Sequence, residues 1–249
     1  MVVGKRSDFE RIPSCSDRSL GRREMKIING DVANEVQLIS DESIDLIVTD
    51  PPYKTISGGS GPTSKMHRRP AGMLSKNDGK IFSENNIKFS DYLPQLFRVL
   101  RDQSHMYLMV NFLNLEDAMS EVRKAGFQIH NLLIWHKNNA TPNRWYMKNV
   151  EYVIFARKGA AKAVNNKSSM TCHKFNNLCG KKTHPTEKPV DLLTFYIKNS
   201  SKQGDVILDP FMGTGSCGEA AILSGRKFIG IELDSEYYEI AKHRLSVLT

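Results

Sequence analysis

Two hydrophobic rhythms alternate along the chain. Short strand-like runs stand at 25–31, 44–49, 105–111, 132–136, 151–156, 206–208 and 227–230; 44–49 has the apolar form taken by strands buried on both faces. Between them the apolar residues fall on helical spacing. One such segment is 90–101, with Leu93, Leu96, Phe97 and Leu100 on one face and Ser90 placed to cap it. The segment 115–125 is closed by Gly126, 189–200 opens on Pro189, 216–224 stops at Gly225, and 236–248 closes the chain. Strands alternating with helices predict an α/β fold with a doubly wound, mostly parallel sheet. Three stretches break the rhythm and read as insertions: about 54–80, with five glycines, the loop 137–149, and the Asn-, Ser- and Lys-rich 157–183. Residues 1–24 show no periodicity and read as a flexible leader before a single domain at 25–249.

Composition narrows the class and charge changes the picture. With 249 residues, 40% hydrophobic and 25% charged, the chain is neither collagen-like nor disordered. It holds no apolar run of transmembrane length and no signal-peptide core, which predicts an intracellular, cytoplasmic protein without a membrane partner. The net charge of +8 is concentrated: 54–80 carries six Lys/Arg against Asp78, and 136–184 carries ten against Glu151. Two basic segments on an otherwise acidic scaffold suit a polyanion such as nucleic acid. Four cysteines, none in a C-x-x-C, read as free thiols, and the spacing of Cys172, His173, Cys179 and His184 fits no zinc pattern, so no metal is expected.

Candidate chemistry sits at the ends of predicted strands. After 206–208 comes Asp209-Pro210-Phe211-Met212-Gly213-Thr214-Gly215, and Gly218 completes a literal G-x-G-x-x-G. Glycines here let a ligand approach the backbone at the carboxyl end of a strand. Glu232, at the tip of the following strand, is placed to accept ribose hydroxyls. Alone, this indicates an adenosine-type ligand and does not separate NAD from S-adenosylmethionine. Asp50-Pro51-Pro52-Tyr53 does. Two prolines stiffen the turn and remove two N–H donors, Asp50 adds a carboxylate, and Tyr53 an aromatic face, a set that suits an exocyclic amine on a stacked base.

These residues carry a resemblance. The chain resembles the S-adenosylmethionine-dependent amino-methyltransferases of DNA, the permuted β group, through DPPY at 50–53, HPTEKP at 184–189, LDPFMGTGS at 208–216 and GIELD at 230–234. The resemblance spans about 25–249 and implies a Rossmann-like methyltransferase fold in circularly permuted order. The C-terminal strands would stand first and second in the sheet, with 26–29 and 44–49 third and fourth. It implies Asp50, Pro51, Pro52 and Tyr53 as catalytic residues. Asp209, Phe211, Gly213, Thr214 and Gly215 would lie along the cofactor, Glu232 on its ribose, Asp31 near its adenine, Asp50 between cofactor and base, and Lys188 on its methionine carboxylate. The substrate implied is DNA, with the target base flipped from the duplex, bound by a monomer or homodimer. Lys65, Arg68, Arg69, Lys137, Asn139, Arg144 and Lys148 are candidates for DNA contact, and 157–183 for target recognition. Asp at the head of the tetrapeptide goes mostly with adenine N6 in this family, and Ser with cytosine N4. The rival readings are cytosine-N4 methylation, adenine methylation in RNA or single strands, a catalytically silent DNA-binding relative, and an NAD-dependent oxidoreductase using the same glycine turn.

Overall fold

The computed structural model describes residues 25–52, 87–141, 145–160, 162–177 and 187–248. The strands are β1 (Met25–Asn29), β2 (Ile44–Thr49), β3 (Leu100–Val110), β4 (Gln128–Thr141), β5 (Lys148–Arg157), β6 (Cys172–Lys174), β7 (Val206–Asp209) and β8 (Lys227–Glu232). Among the described residues they form one eight-stranded sheet in the order β1-β8-β7-β2-β3-β5-β4-β6. Every pairing is parallel except those of β5 with β3 and β4. β1 and β2 follow one another in the chain, yet β8 and β7 lie between them. That is the permuted order expected.

Helices cover both faces. α1 (Val32–Glu35), α2 (Phe89–Val99) and α3 (Leu115–Lys124) pack on one side, and α4 (Val190–Ser200), α5 (Ser216–Leu223) and α6 (Ser235–Ser246) on the other. β2 shows why its sequence is apolar throughout. Leu46 and Val48 join the core under α4–α6, while Ile47 joins the core under α1–α3, because side chains alternate along a strand. All three are 0% exposed, and each stabilises the fold by about 2 kcal/mol.

The structure corrects several expected boundaries. α2 begins at Phe89, and its N-cap is Lys88. The Lys88 N–H donates to Asp91 Oδ2 at 2.8 Å, so the cap comes from Asp91 and not from Ser90. The expected 137–149 loop is largely strand. β4 carries Lys137, Asn138 and Asn139, β5 starts at Lys148, and the register shifts between His136↔Val150 and Thr141↔Lys148. These ends run past Val110, the last β3 residue paired to β5, where Asn138, Asn139 and Lys148 are exposed, so their sequence is polar. Within 157–183, Cys172–Lys174 pairs with β4 as β6, and only His173 of the three is buried. The 1–24 leader and the 54–80 segment lie outside the described residues.

Candidate active site

Parallel strands deliver their carboxyl ends to one edge of the sheet. β2 leads to Asp50, β7 ends in Asp209, β8 ends in Glu232, and β1 is followed by Asp31. In a doubly wound sheet this is the ligand edge. The two central motifs are tied directly together: Thr49 Oγ1 donates to Asp209 Oδ1 at 2.8 Å, and the Phe211 N–H donates to the same oxygen at 3.1 Å. Asp209 is 5% exposed. Burial pushes its pKa up to about 7 against those two hydrogen bonds, with the negative charges of Asp50 and Glu232 adding to the rise.

That shift has a measurable consequence. An unfolded Asp209 ionises near 3.8 and the folded one near 7, so between these values the native state holds a proton the unfolded chain has lost. Its contribution to stability therefore falls as pH rises through this window, by about 3 kcal/mol from pH 5 to pH 8. Asp209→Asn cannot titrate. Urea unfolding at pH 5 and pH 8 is expected to show a smaller loss for the variant than for the wild type, by about that amount. Equal losses in the two proteins would show that Asp209 is ionised throughout.

The glycines divide by role. Gly213 has φ +52°, and a Cβ there would meet nothing within 4 Å, so the turn faces open space. Gly215, with φ +85°, caps α5, and a Cβ on it would come within 3.2 Å of Ala241. At Gly218 a Cβ would lie 2.8 Å from both Leu245 and Phe228, which makes it a packing glycine. Glu232 closes the turn: its Oε2 accepts the Gly213 N–H at 2.8 Å and its Oε1 the Asp234 N–H at 2.9 Å. Burial nevertheless raises its carboxyl pKa. The Asn29 side-chain amide donates to the carbonyls of Glu232 at 2.9 Å and Leu233 at 3.1 Å, joining the ends of β1 and β8. Exposed Asp31 starts α1 by accepting the Ala33 N–H at 2.9 Å. Half-buried Phe211 packs edge-on against Tyr92, with ring centroids 4.9 Å apart, while Thr214 is buried. Among the described residues the buried Tyr92 hydroxyl finds no hydrogen-bond partner. Burial, then the charges of Asp50 and Asp91, holds its pKa well above the ordinary value.

Asp50 heads a row of alternating charges. Lys188 Nζ forms an ion pair with Asp50 and lies 3.6 Å from Glu151 Oε2, and Glu151 Oε1 is 3.0 Å from Lys137 Nζ. Burial pushes the Glu151 carboxyl up, but Lys188 and Lys137 outweigh it and the pKa is lowered. Glu187, next to Lys188, is pinned by Arg244 Nη1 at 2.6 Å and by the Ser216 hydroxyl at 3.2 Å, which fixes Lys188 relative to α5 and α6. Pro51 is buried and Pro52 half-buried. Tyr53 lies outside the described residues.

The sequence reading missed Glu151, Glu187 and Tyr92. Glu151 did leave a signal, as the single acid within 136–184. The Lys137 side chain is 11% exposed and engaged with Glu151, so it is turned inward. Asn139 and Lys148 are exposed on the β4–β5 hairpin. Lys65, Arg68, Arg69 and Arg144 lie outside the described residues, as do Cys179 and His184. Cys172 and Cys217 are free thiols. Among the described residues no His, Cys, Asp or Glu side chains gather as three or more metal ligands, and no helix is long and apolar enough to cross a membrane.

At this edge an open glycine turn stands beside the Glu232 carboxylate and is tied to the Asp-Pro-Pro turn of the neighbouring strand. Comparison with known proteins identifies the family. The model of the N6/N4 methyltransferase family, described as DNA methylase, matches residues 44–243. The chain is 31% identical to the Type II methyltransferase M2.DpnII of Streptococcus pneumoniae over 250 residues, 90% of each chain. It is also 31% identical to M2.LlaDCHI of Lactococcus lactis subsp. cremoris over 246 residues, 88% of each. The crystal structure of the M1.HpyAVI–SAM complex superposes with a TM-score of 0.66 at 25% identity, covering 89% of this chain and all of that one. The cytosine-N4-specific PvuII DNA methyltransferase shares the fold, with a TM-score of 0.67 at 15% identity over 90% of this chain and 91% of that one. The chain belongs to the N6/N4 DNA methylases, the S-adenosylmethionine-dependent methyltransferases of DNA.

Proposed function

We propose that this protein transfers a methyl group from S-adenosylmethionine to adenine N6 at a specific short sequence in DNA. The observation that carries the reading is the Thr49–Asp209 hydrogen bond of 2.8 Å, which sets the Asp50-Pro51-Pro52 turn beside the open glycine turn. The Type II names of its relatives support a modification role alongside a restriction enzyme.

The residues present fit the cofactor. Gly213 leaves room for a close approach, Glu232 offers a carboxylate to ribose hydroxyls while its hydrogen bonds hold it still, and Asp31 stands at the adjoining strand end for the adenine amine. Bound there, S-adenosylmethionine supplies an electrophilic methyl on a sulfonium. The work left to the chain is alignment. Asp50 and the Pro51 carbonyl accept the hydrogens of the target amine and turn its lone pair toward the methyl, and Tyr53 stacks on the flipped base. Lys188 holds Asp50 in place, a positioning role in place of the one the resemblance gives it on the methionine carboxylate. Adenine is favoured because Asp heads the tetrapeptide.

Duplex DNA incubated with the protein and methyl-labelled cofactor, then digested to nucleosides, tests this. All label is expected in N6-methyladenine. Label in N4-methylcytosine would overturn the base assignment and leave the fold and cofactor standing.

A further inference from the structure

Six of the ten large hydrophobic side chains exposed among the described residues lie at one edge of the sheet. Phe112 and Leu113 follow β3, Leu233 follows β8, and Trp145, Tyr146 and Met147 lead into β5. This is the edge of Asp50 and the glycine turn. The three on the hairpin are 78%, 91% and 62% exposed. Three neighbouring apolar side chains in water carry a hydration cost that a bound partner would relieve.

The chemistry of the surroundings names the partner. From 144 to 150 the sequence carries Arg144 and Lys148 and no acid. A cationic strip interleaved with aromatic rings suits a polyanion that also presents flat π-faces, which is nucleic acid. The hairpin is also rooted in the catalytic row, since Glu151 lies 3.6 Å from the Lys188 ammonium that pairs with Asp50. From Glu151 back to Trp145 the chain reaches at most about 20 Å, roughly six base steps along a strand.

We propose that Trp145 and Tyr146, with Met147 beside them, form a stacking surface for a DNA base near the target, while Lys148 holds the adjacent phosphate. This rests on the chain acting on DNA. The shared chemistry is the π-face of a base, offered either by an unpaired nucleotide or by an opened step of the duplex.

The test compares wild type, W145A/Y146A and K148Q in the full chain for affinity to a fluorescent duplex and to one of its strands alone, across a salt series. Affinity for S-adenosylhomocysteine, measured by calorimetry, should be the same in all three proteins. The double variant is expected to lose DNA affinity by about 10-fold or more with its salt slope unchanged, because stacking rings neutralise no phosphate. K148Q is expected to flatten the slope by about one. A loss on duplex alone places an opened step on the rings, and a loss on both DNAs places an unpaired base there. Unchanged DNA affinity in the double variant, beside a wild type that binds, overturns this inference alone. So does a wild-type dimer that the double variant breaks without loss of DNA affinity, which would assign the patch to a second copy of the chain. A wild type that binds neither DNA overturns the inference and the reading beneath it together.

Discussion

Asp50→Ala is expected to slow methyl transfer by at least about 100-fold while leaving a folded protein that still binds S-adenosylhomocysteine. As the methyl reaches the amine, the nitrogen gains positive charge, and a fixed carboxylate at hydrogen-bond distance stabilises that change without reorganising. Losing one such group at a developing charge costs on the order of 3 kcal/mol or more, a hundredfold or more in rate. The fold survives because the substitution leaves Lys188 with Glu151, 3.6 Å away, so the stability lost is confined to about 1–3 kcal/mol. Asp50→Asn keeps the shape and drops the charge, and it should fall between alanine and wild type. Single-turnover rates at saturating cofactor decide the matter. Near-wild-type rates in a folded Asp50→Ala protein would remove Asp50 from the chemistry.

Glu232→Gln is expected to act on the other half of the site, weakening S-adenosylhomocysteine binding by about 10- to 100-fold with little effect on affinity for DNA. Two things are lost at once. The ribose hydroxyls exchange a charged acceptor for a neutral one, a difference of about 1–2 kcal/mol for each hydrogen bond. The turn also loosens: Glu232 now accepts the Gly213 and Asp234 N–H groups with separate oxygens, and glutamine has only one oxygen to offer. Calorimetry with S-adenosylhomocysteine measures the result. Unchanged affinity would mean that the ribose lies elsewhere.

The parts of the molecule that are buried on both faces were legible in the sequence. β2, β7 and β8 are continuous apolar runs because helices cover each side, and the turns that follow them carry their own markers in Asp50-Pro51-Pro52 and Gly213-Thr214-Gly215. The hairpin ends of β4 and β5 were not legible. Past the end of β3, Asn138, Asn139 and Lys148 are exposed, so pairing holds these ends as strands while their sequence stays polar. The literal G-x-G-x-x-G was legible as a pattern but not as a set of roles, since Gly218 is fixed by its contact with Leu245 and Phe228 and not by a ligand. The charge row was out of reach as well. Asp50 and Lys188 stand 138 residues apart in sequence, and only the sheet order shows that Lys188 meets Asp50, or that Lys137 turns inward to Glu151.

The most direct test of the account is single-molecule sequencing of DNA from cells expressing the wild-type protein, beside cells expressing Asp50→Ala. The account predicts N6-methyladenine at one short recurring sequence in the wild-type sample and a much smaller modified fraction at that sequence in the variant. Modified cytosine at that sequence, or adenine modified to the wild-type extent in the Asp50→Ala sample, would contradict it.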